Sequence, residues 1–205
     1  MTLELPFPVD TVKGFLHPDE GEALYRHAQI QAPRGPLLEI GSYCGKSTLY
    51  LGLAARNSGG CVFAVDHHRG SEEHQPGEFF HDADLFDAGE ATMDSFREFR
   101  RTLRRADLED TVIPVVAGSA LAARQWRTPL AMVFIDGGHS LDAALADYRN
   151  WAGHVQRGGI LAIHDIYDSA ESGGQAPRAI LKLALASGLF RQVERVESLV
   201  VLQRL

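Results

Sequence analysis

Two short apolar segments constrain the fold of this chain more than any other feature. The first is Leu37–Ile40, which is followed by a glycine, and the second is Val133–Ile135, which is followed by Asp136 and a glycine pair. Such a run is typical of a buried parallel strand, which delivers polar groups to the carboxyl edge of a sheet. Ligands bind at that edge in folds of this kind. The two segments therefore predict a parallel α/β sheet with a binding site at one edge.

Length and charge limit the classes of protein to which the chain can belong. A chain of 205 residues can bury one sizeable core but is short for two, so we expect a single domain over residues 1–205. The formal net charge of -7 argues against a nucleic-acid partner and against an anionic membrane surface. The sequence has no signal peptide and no membrane-spanning run, and Cys44 and Cys61 lack metal-knuckle spacing. We expect a cytoplasmic protein with a small-molecule partner.

Helix-like and strand-like segments alternate along the chain. Apolar spacing predicts a buried face on two of the helices. On the first helix this face contains Leu24, Tyr25, Ala28 and Ile30, and on the helix that opens at Ser140 it contains Leu141, Leu145, Tyr148 and Trp151. The predicted elements are an N-terminal capping helix Asp19–Gln31, strand Leu37–Ile40, helix Ser47–Asn57, strand Cys61–Val65, helix Asp94–Arg105, strands Val112–Val116 and Met132–Ile135, a helix from Ser140, strand Ile160–Ile163, a helix from Pro177, and strands Phe190–Val193 and Leu199–Leu202. This order predicts a Rossmann-like, doubly wound α/β sheet that is mostly parallel and ends in an antiparallel hairpin.

One stretch, residues 69–91, matches no helix or strand. It is rich in Glu, Asp and His and contains Pro76 and several glycines. A loop of this length within a compact domain is typically a lid, a binding loop or a disordered segment. We predict a lid over the active site, and a solvated loop without a role is the alternative.

The glycine loop after the first strand admits two interpretations. It resembles a phosphate loop, with Val133–Asp136 as the magnesium-binding strand, but only three residues separate Gly41 from Gly45 where that motif has four. Glu39 would also direct a carboxylate toward the phosphates. A ligand with a sulfonium and an amino group, S-adenosylmethionine, would instead favour a nearby carboxylate, and Asp66 at the end of the next strand would hold its ribose hydroxyls.

The second interpretation is supported by a family resemblance. The segment Glu39-Ile-Gly-Ser-Tyr-Cys-Gly45 resembles motif I of the class I S-adenosylmethionine-dependent methyltransferases, and Phe63-Ala-Val-Asp66 resembles motif II. The terminal hairpin matches that fold as well. The resemblance places the adenine near Gly118 and Ser119. The residues it implies for cofactor binding are Glu39, Gly41, Ser42, Gly45, Ser47, Asp66, His67, Gly118, Ser119 and Asp136.

A second group of polar residues should meet at the same edge of the sheet. Asp136 and His139 follow one strand, and His164 and Asp165 end its neighbour. Two carboxylates and an imidazole suit Mg²⁺ or Mn²⁺. The stretches 135–140, 147–148 and 158–165 resemble the macrocin and mycinamicin sugar O-methyltransferases and the cephalosporin hydroxylase-type relatives. The resemblance implies metal ligation by Asp136 and Asp165 and a catalytic base at His139, and His164 replaces an acidic ligand.

These observations predict a metal-dependent O-methyltransferase that acts on a small molecule, with a sugar as the acceptor. A divalent ion would lower the pKa of the acceptor hydroxyl, and His139 would take its proton. The run Val65–Ser71 also resembles actinobacterial relatives, among them mycobacterial enzymes that methylate mannose polysaccharide precursors, and such relatives commonly form homodimers. A methyltransferase acting on catechol-like phenols, a phosphate-loop nucleotide-binding protein and a noncatalytic ligand-binding domain are the alternatives.

Overall fold

The computed structural model describes residues 3–71, 75, 77–78, 81–138 and 140–205. His139, the predicted base, lies outside the described residues, as does part of the predicted lid, residues 72–74, 76 and 79–80. The helices are α1 Pro18–Gln31, α2 Lys46–Ser58, α3 Phe96–Arg105, α4 Ser119–Ala123, α5 Leu141–Trp151 and α6 Ala176–Ala186. The strands are β1 Leu37–Ile40, β2 Val62–Asp66, β3 Phe86–Asp87, β4 Thr92–Met93, β5 Val112–Val116, β6 Leu130–Ile135, β7 Val155–Ile163, β8 Phe190–Val196 and β9 Leu199–Arg204.

The main sheet has the predicted architecture. Its strand order is β5-β2-β1-β6-β7-β9-β8, in which the first five strands are parallel and β9 runs antiparallel to both of its neighbours. The sheet therefore extends from β1 through β2 and β5 on one side, and from β6 through β7 on the other, so the strand order reverses between β1 and β6. A crevice opens at such a reversal, outside the carboxyl ends of the strands, and this is where doubly wound folds bind ligands.

Helices cover both faces of the sheet because its strands are apolar on both sides. Leu37 packs in a core with α1, α2 and α3, whereas the next residue, Leu38, packs in a second core with α5 and α6. Side chains alternate between the faces of a strand, so Glu39 shares the face of Leu37 and points beneath α2. This placement decides the environment of that carboxylate.

Three local predictions were wrong. Ile30 is 65 % exposed, because the buried stripe of α1 runs through Leu24 and Ala28 and leaves Ile30 on the far side. Leu141 is 52 % exposed, since it begins α5 and the buried positions of that helix come later, at Ala144 and Trp151. The expectation that residues 69–91 contain no element also failed.

The second half of the predicted lid is a folded element. Residues Ala83–Leu85 form a 3-10 turn, and β3 pairs with β4 in a two-stranded antiparallel ribbon. Leu85 and Met93 are buried and pack with Val12 and Cys44 in a small third core. This part of the stretch is therefore attached to the body of the protein. Among the described residues, no helix is long and apolar enough to cross a membrane.

Candidate active site

A cavity of about 590 Å³ lies at the carboxyl edge of the sheet, where the strand order reverses between β1 and β6. The loops that follow β1, β2, β5, β6 and β7 line it, and residues 13–16, which precede α1, close one side. Eight of the predicted cofactor residues lie on its wall: Gly41, Ser42, Ser47, Asp66, His67, Gly118, Ser119 and Asp136. The other two, Glu39 and Gly45, do not line it.

The glycine loop makes a close backbone contact that only glycine permits. Gly41 has a φ of 84°, and a Cβ added there would lie 2.0 Å from the carbonyl oxygen of Asp136. The loops after β1 and β6 therefore touch at Gly41. Beside it, the Oγ atom of Ser42 is buried and has no hydrogen-bond partner among the described residues. A ligand atom in the cavity could satisfy that hydroxyl.

Glu39 supports the glycine loop from beneath. Its side chain is fully buried, the Ser47 hydroxyl donates to its Oε1 over 2.6 Å, and the Thr48 hydroxyl donates to its Oε2. Burial raises the pKa of Glu39 to about 8, against the hydrogen bonds from Ser47 and Thr48. The carboxyl group therefore anchors the first turn of α2, and any effect on a ligand acts through Ser47 on the cavity wall.

Asp66 holds the glycine loop from the side. One carboxylate oxygen accepts from the backbone N–H of Tyr43 over 2.8 Å, and the other accepts from that of His68 over 2.7 Å. Each oxygen retains a further lone pair for a ligand hydroxyl. The neighbouring His67 is exposed on the wall, and its Nδ1 accepts from the backbone N–H of Arg69 over 3.0 Å.

The predicted metal residues meet in one cluster. Asp136, His164 and Asp165 each offer a ligand atom, and these atoms lie within 4.8 Å of one another. Nδ1 of His164 is 2.9 Å from Oδ1 of Asp136 and 3.6 Å from Oδ2 of Asp165. The Tyr167 hydroxyl donates to Oδ1 of Asp165 over 3.0 Å. The cluster stands at the cavity edge, because Asp136 and Asp165 line the cavity and His164 lies buried behind them.

A fourth residue of this cluster, Glu20, was missed from the sequence. Its Oε2 lies 2.9 Å from Nε2 of His164, and its Oε1 accepts from the backbone N–H and the hydroxyl of Ser198. Burial opposes ionisation of Glu20, but His164 and Ser198 lower its pKa to about 2. Glu20 also accepts from the backbone N–H of His17 in a capping box. A glutamate in the first turn of a helix is so ordinary that the sequence carries no signal of this second role.

The donor set of the cluster fits a divalent ion. Ionised carboxylates only accept hydrogen bonds, so Nε2–H of His164 donates to Glu20 and Nδ1–H donates to Asp136 over 2.9 Å. Nδ1 faces Asp136 and Asp165, and it would ligate an ion after releasing its proton. A histidine that ligates a metal commonly donates its other ring N–H to a carboxylate in this manner. Two carboxylates with one imidazole suit Mn²⁺ better than Mg²⁺, which prefers oxygen. Burial disfavours the charged ring, yet Asp136, Asp165 and Glu20 raise the pKa of His164 well above its ordinary value.

The wall of the cavity also contains a buried carboxylate, that of Asp147. Asp147 on α5 is 5 % exposed and lines the wall beside Ser119. The Ser119 hydroxyl accepts from the indole N–H of Trp151 over 2.8 Å and hydrogen-bonds the carboxyl group of Asp147. Burial raises the pKa of Asp147 to about 6, against the hydrogen bond from Ser119. In the sequence, Asp147 belongs to a stretch that resembles the sugar O-methyltransferases, and no pattern there indicates a buried carboxylate.

The arrangement of the glycine loop disfavours phosphate. The backbone N–H of Tyr43 is used by Asp66, and that of Gly45 donates to the Ser42 carbonyl oxygen over 2.7 Å. The Lys46 ammonium group donates to the Gly14 carbonyl oxygen over 2.9 Å. Carboxylates outnumber ammonium groups on the cavity wall, with Asp66, Asp136, Asp147 and Asp165 against Lys13 and Lys46. An anionic wall suits a ligand with positive groups better than a polyphosphate.

Comparisons with known proteins agree with this geometry. A family model described as a methyltransferase domain matches residues 38–166. The chain is similar in structure to cofactor-bound Rv0187 from MTB, with a TM-score of 0.67 and 19% identity over 96% of this chain and 85% of that one. It is also similar to an O-methyltransferase from Bacillus cereus in complex with SAH, with a TM-score of 0.64 and 19% identity over 95% of this chain and 86% of that one.

A third structure of the same fold is TomG from Streptomyces achromogenes, an O-methyltransferase of tomaymycin synthesis, in complex with SAM. Its TM-score is 0.62, with 14% identity over 93% of this chain and 81% of that one. These similarities establish the fold that the strand order already indicated. The matched range 38–166 contains the loops after β1, β2, β5 and β6 and reaches Asp165 at the end of β7.

Proposed function

Because the chain belongs to the family of proteins with this methyltransferase domain, we propose that it transfers a methyl group from S-adenosylmethionine to a hydroxyl of a small molecule. One observation carries the proposal: the cavity at the strand-order reversal is walled by the glycine loop and by Asp66 and Asp136. The sulfonium and ammonium groups of this cofactor are favoured near carboxylates. Solved structures of the same fold hold SAM or SAH.

The amino-acid part of the cofactor would bind at Gly41 and Ser42. Gly41 allows the loop after β1 to contact the loop after β6, and the buried Ser42 hydroxyl has no partner among the described residues, so a ligand could bond it. Asp66 would hold the ribose hydroxyls with the lone pairs that Tyr43 and His68 leave free. The adenine would lie at Gly118 and Ser119. Glu39 and Gly45 would act indirectly, by fixing the loop and the start of α2.

A divalent ion would be held by Asp136, His164 and Asp165, and it would displace the proton by which Nδ1 of His164 bonds Asp136. When bound, such an ion lowers the pKa of an acceptor hydroxyl. Asp136 and Asp165 line the cavity, so they would also orient an acceptor at its edge. His139, the second residue beyond Gly137, would take the hydroxyl proton as the methyl group is transferred. This role rests on the sequence spacing of Asp136 and His139.

A sugar is the acceptor that we favour, in line with the resemblance to the macrocin and mycinamicin enzymes and to the mycobacterial enzymes acting on mannose polysaccharide precursors. Saccharide hydroxyls suit the polar cluster of Asp136 and Asp165. A phenolic acceptor is the second candidate, because Phe15, Leu16 and Tyr43 also line the cavity. Phe15 is 64 % exposed there and could pack on an aromatic ring.

We further expect a homodimer, which sedimentation velocity would test.

The first experiment is calorimetric titration of S-adenosylhomocysteine and, separately, of ATP into the purified protein. Micromolar binding of the former alone is the expected result, whereas binding of ATP alone would contradict the proposal. Titration of Mn²⁺ and Mg²⁺ into wild type and Asp165→Ala then tests the metal, and equal Mn²⁺ affinity in both proteins would contradict ligation by Asp165. A matched screen of monosaccharides and catechols, each with labelled S-adenosylmethionine, separates the two acceptor classes.

A further inference from the structure

Asp147 is a carboxylate on the cavity wall for which the proposed chemistry provides no role. It lies on α5, is not one of the three residues of the metal cluster, and is 5 % exposed. Buried carboxylates are costly unless they bind a donor or a cation. No salt-bridge cation faces Asp147 among the described residues, and its hydrogen bond comes from Ser119.

The surroundings fix the position of the Asp147 carboxylate. Its Oδ2 fills the space beside Gly137, since a Cβ added at Gly137 would lie 2.6 Å from that atom. The Trp151 indole N–H donates to the Ser119 hydroxyl over 2.8 Å, and Ser119 in turn bonds Asp147. A hydroxyl has one hydrogen to donate, so Ser119 has none left for a ligand. Asp147 is therefore the strong polar acceptor at this end of the wall.

The remaining wall at this end is small and apolar. Its residues are Ala117, Gly118, Ala120, Leu121, Ala143 and Ala146. Such a lining suits a flat ring, with Asp147 as an oriented polar group that provides specificity. The assignment of the ring rests on the proposed function, which places adenine at Gly118 and Ser119. The hydrogen-bond donor of adenine is its 6-amino group, and an ionised carboxylate can only accept.

We propose that Asp147 accepts a hydrogen bond from the 6-amino group of the cofactor's adenine and makes the site specific for adenosine over inosine ligands. Hypoxanthine has an oxygen in place of that amino group. The oxygen and the Asp147 carboxylate are both acceptors, so they would repel each other without a hydrogen bond in a buried site. A site built to bind a donor rejects the analogue that lacks it, because the buried acceptor is then left unpaired. The discrimination should reach at least about a hundredfold in affinity.

Calorimetry with S-adenosylhomocysteine and S-inosylhomocysteine tests this inference. Titrations at pH 8 keep Asp147, with its pKa of about 6, ionised. Wild type should favour the adenosyl ligand strongly, and Asp147→Asn should reduce that preference at least about tenfold, because an amide can donate to the hypoxanthine oxygen. Asp142→Asn is the matched control, since it makes the same chemical change at an exposed position of α5 and should keep the wild-type preference.

The ratio of the two affinities does not depend on the fraction of folded protein, so a destabilised variant still gives an answer. An unchanged ratio in Asp147→Asn would overturn the inference, as would a wild type that binds both ligands equally. Both results would leave the proposed methyltransferase function in place. Failure of wild type to bind either ligand would instead refute the proposed cofactor, and the role of Asp147 would fall with it.

Discussion

Glu20 and His164 lie 2.9 Å apart, Oε2 to Nε2, although 144 residues separate them in the chain. Both side chains are almost fully buried, and Ser198 of the turn between β8 and β9 donates twice to the same glutamate. The contact joins the first turn of α1, the end of β7 and the terminal hairpin behind the metal cluster. The N-terminal helix is therefore part of the candidate active site as well as a cover for the sheet.

We expect Glu20→Gln to weaken Mn²⁺ binding about ten- to a hundredfold, because the carboxylate that orients a ligating histidine affects metal affinity to that degree. Calorimetric titration of Mn²⁺ measures this without any acceptor. Glu194→Gln is the control, since Glu194 also links α1 to the hairpin, through Arg26 and His27, but does not touch His164. Equal losses in both variants would mean that Glu20 only holds α1 in place.

His139→Ala should retain the affinity of the protein for S-adenosylhomocysteine while turnover falls about a hundred- to ten-thousandfold, the range that general bases contribute. The expectation rests on the spacing of Asp136 and His139 in the sequence. Single-turnover rates and calorimetry on the same preparation separate the two effects. His27→Ala, which removes a histidine from the α1 surface, serves as the control. A variant as active as wild type at every pH would remove His139 from the mechanism.

The sequence correctly predicted the methyltransferase family, the mostly parallel sheet with its antiparallel hairpin, and the meeting of Asp136, His164 and Asp165. These features follow from local signals, because buried parallel strands are continuous apolar runs and their carboxyl ends share one edge. The three residues end β6 and β7, which are neighbours in the sheet, so adjacency of strands was enough to bring them together.

Features that depend on contacts between distant segments were not predicted. The approach of Glu20 to His164 requires the packing of α1 against the terminal hairpin, which no local pattern encodes. The outward direction of Ile30 depends on which stripe of α1 the sheet covers. The folding of residues 83–93 against Val12 and Cys44 likewise comes from tertiary contacts that a polar, glycine-containing stretch does not indicate.

Gly41→Ala should destabilise the protein more than Gly59→Ala. Both glycines have a positive φ, 84° and 71°. An alanine in this left-handed conformation destabilises the folded protein by about 1–2 kcal/mol at either site. At Gly59 an added Cβ meets nothing within 4 Å, whereas at Gly41 it meets the Asp136 carbonyl oxygen at 2.0 Å. This overlap with backbone should add about 1–3 kcal/mol.

Urea denaturation measures the free energies of unfolding of both glycine variants. Calorimetry measures their affinities for S-adenosylhomocysteine. Gly59→Ala should bind like wild type, and Gly41→Ala should bind less well because its clash separates the loops after β1 and β6. Equal stability of the two variants would mean that these loops do not touch at Gly41.

Glu39 should make the unliganded protein less stable as the pH rises from about 4.5 to 8. Burial raises its pKa to about 8 in the folded state, against 4.5 as the ordinary value. Below pH 4.5 Glu39 is protonated in both the folded and the unfolded protein, and its full contribution to stability is present. Above it, the unfolded chain ionises while the folded carboxyl stays protonated, so stability falls until the pH passes the folded pKa.

Urea titrations of wild type and Glu39→Gln across this pH range isolate that contribution. The amide cannot ionise, so the difference in unfolding free energy between the two proteins should shift in favour of the variant by a few kcal/mol as the pH rises. Burial also raises the pKa of Asp147, so ionisation of Asp147 changes the unfolding free energy with pH at lower pH values. This change is the same in both proteins and cancels in their difference. A difference that stays constant with pH would mean that Glu39 is ionised in the folded protein, with Ser47 and Thr48 outweighing its burial.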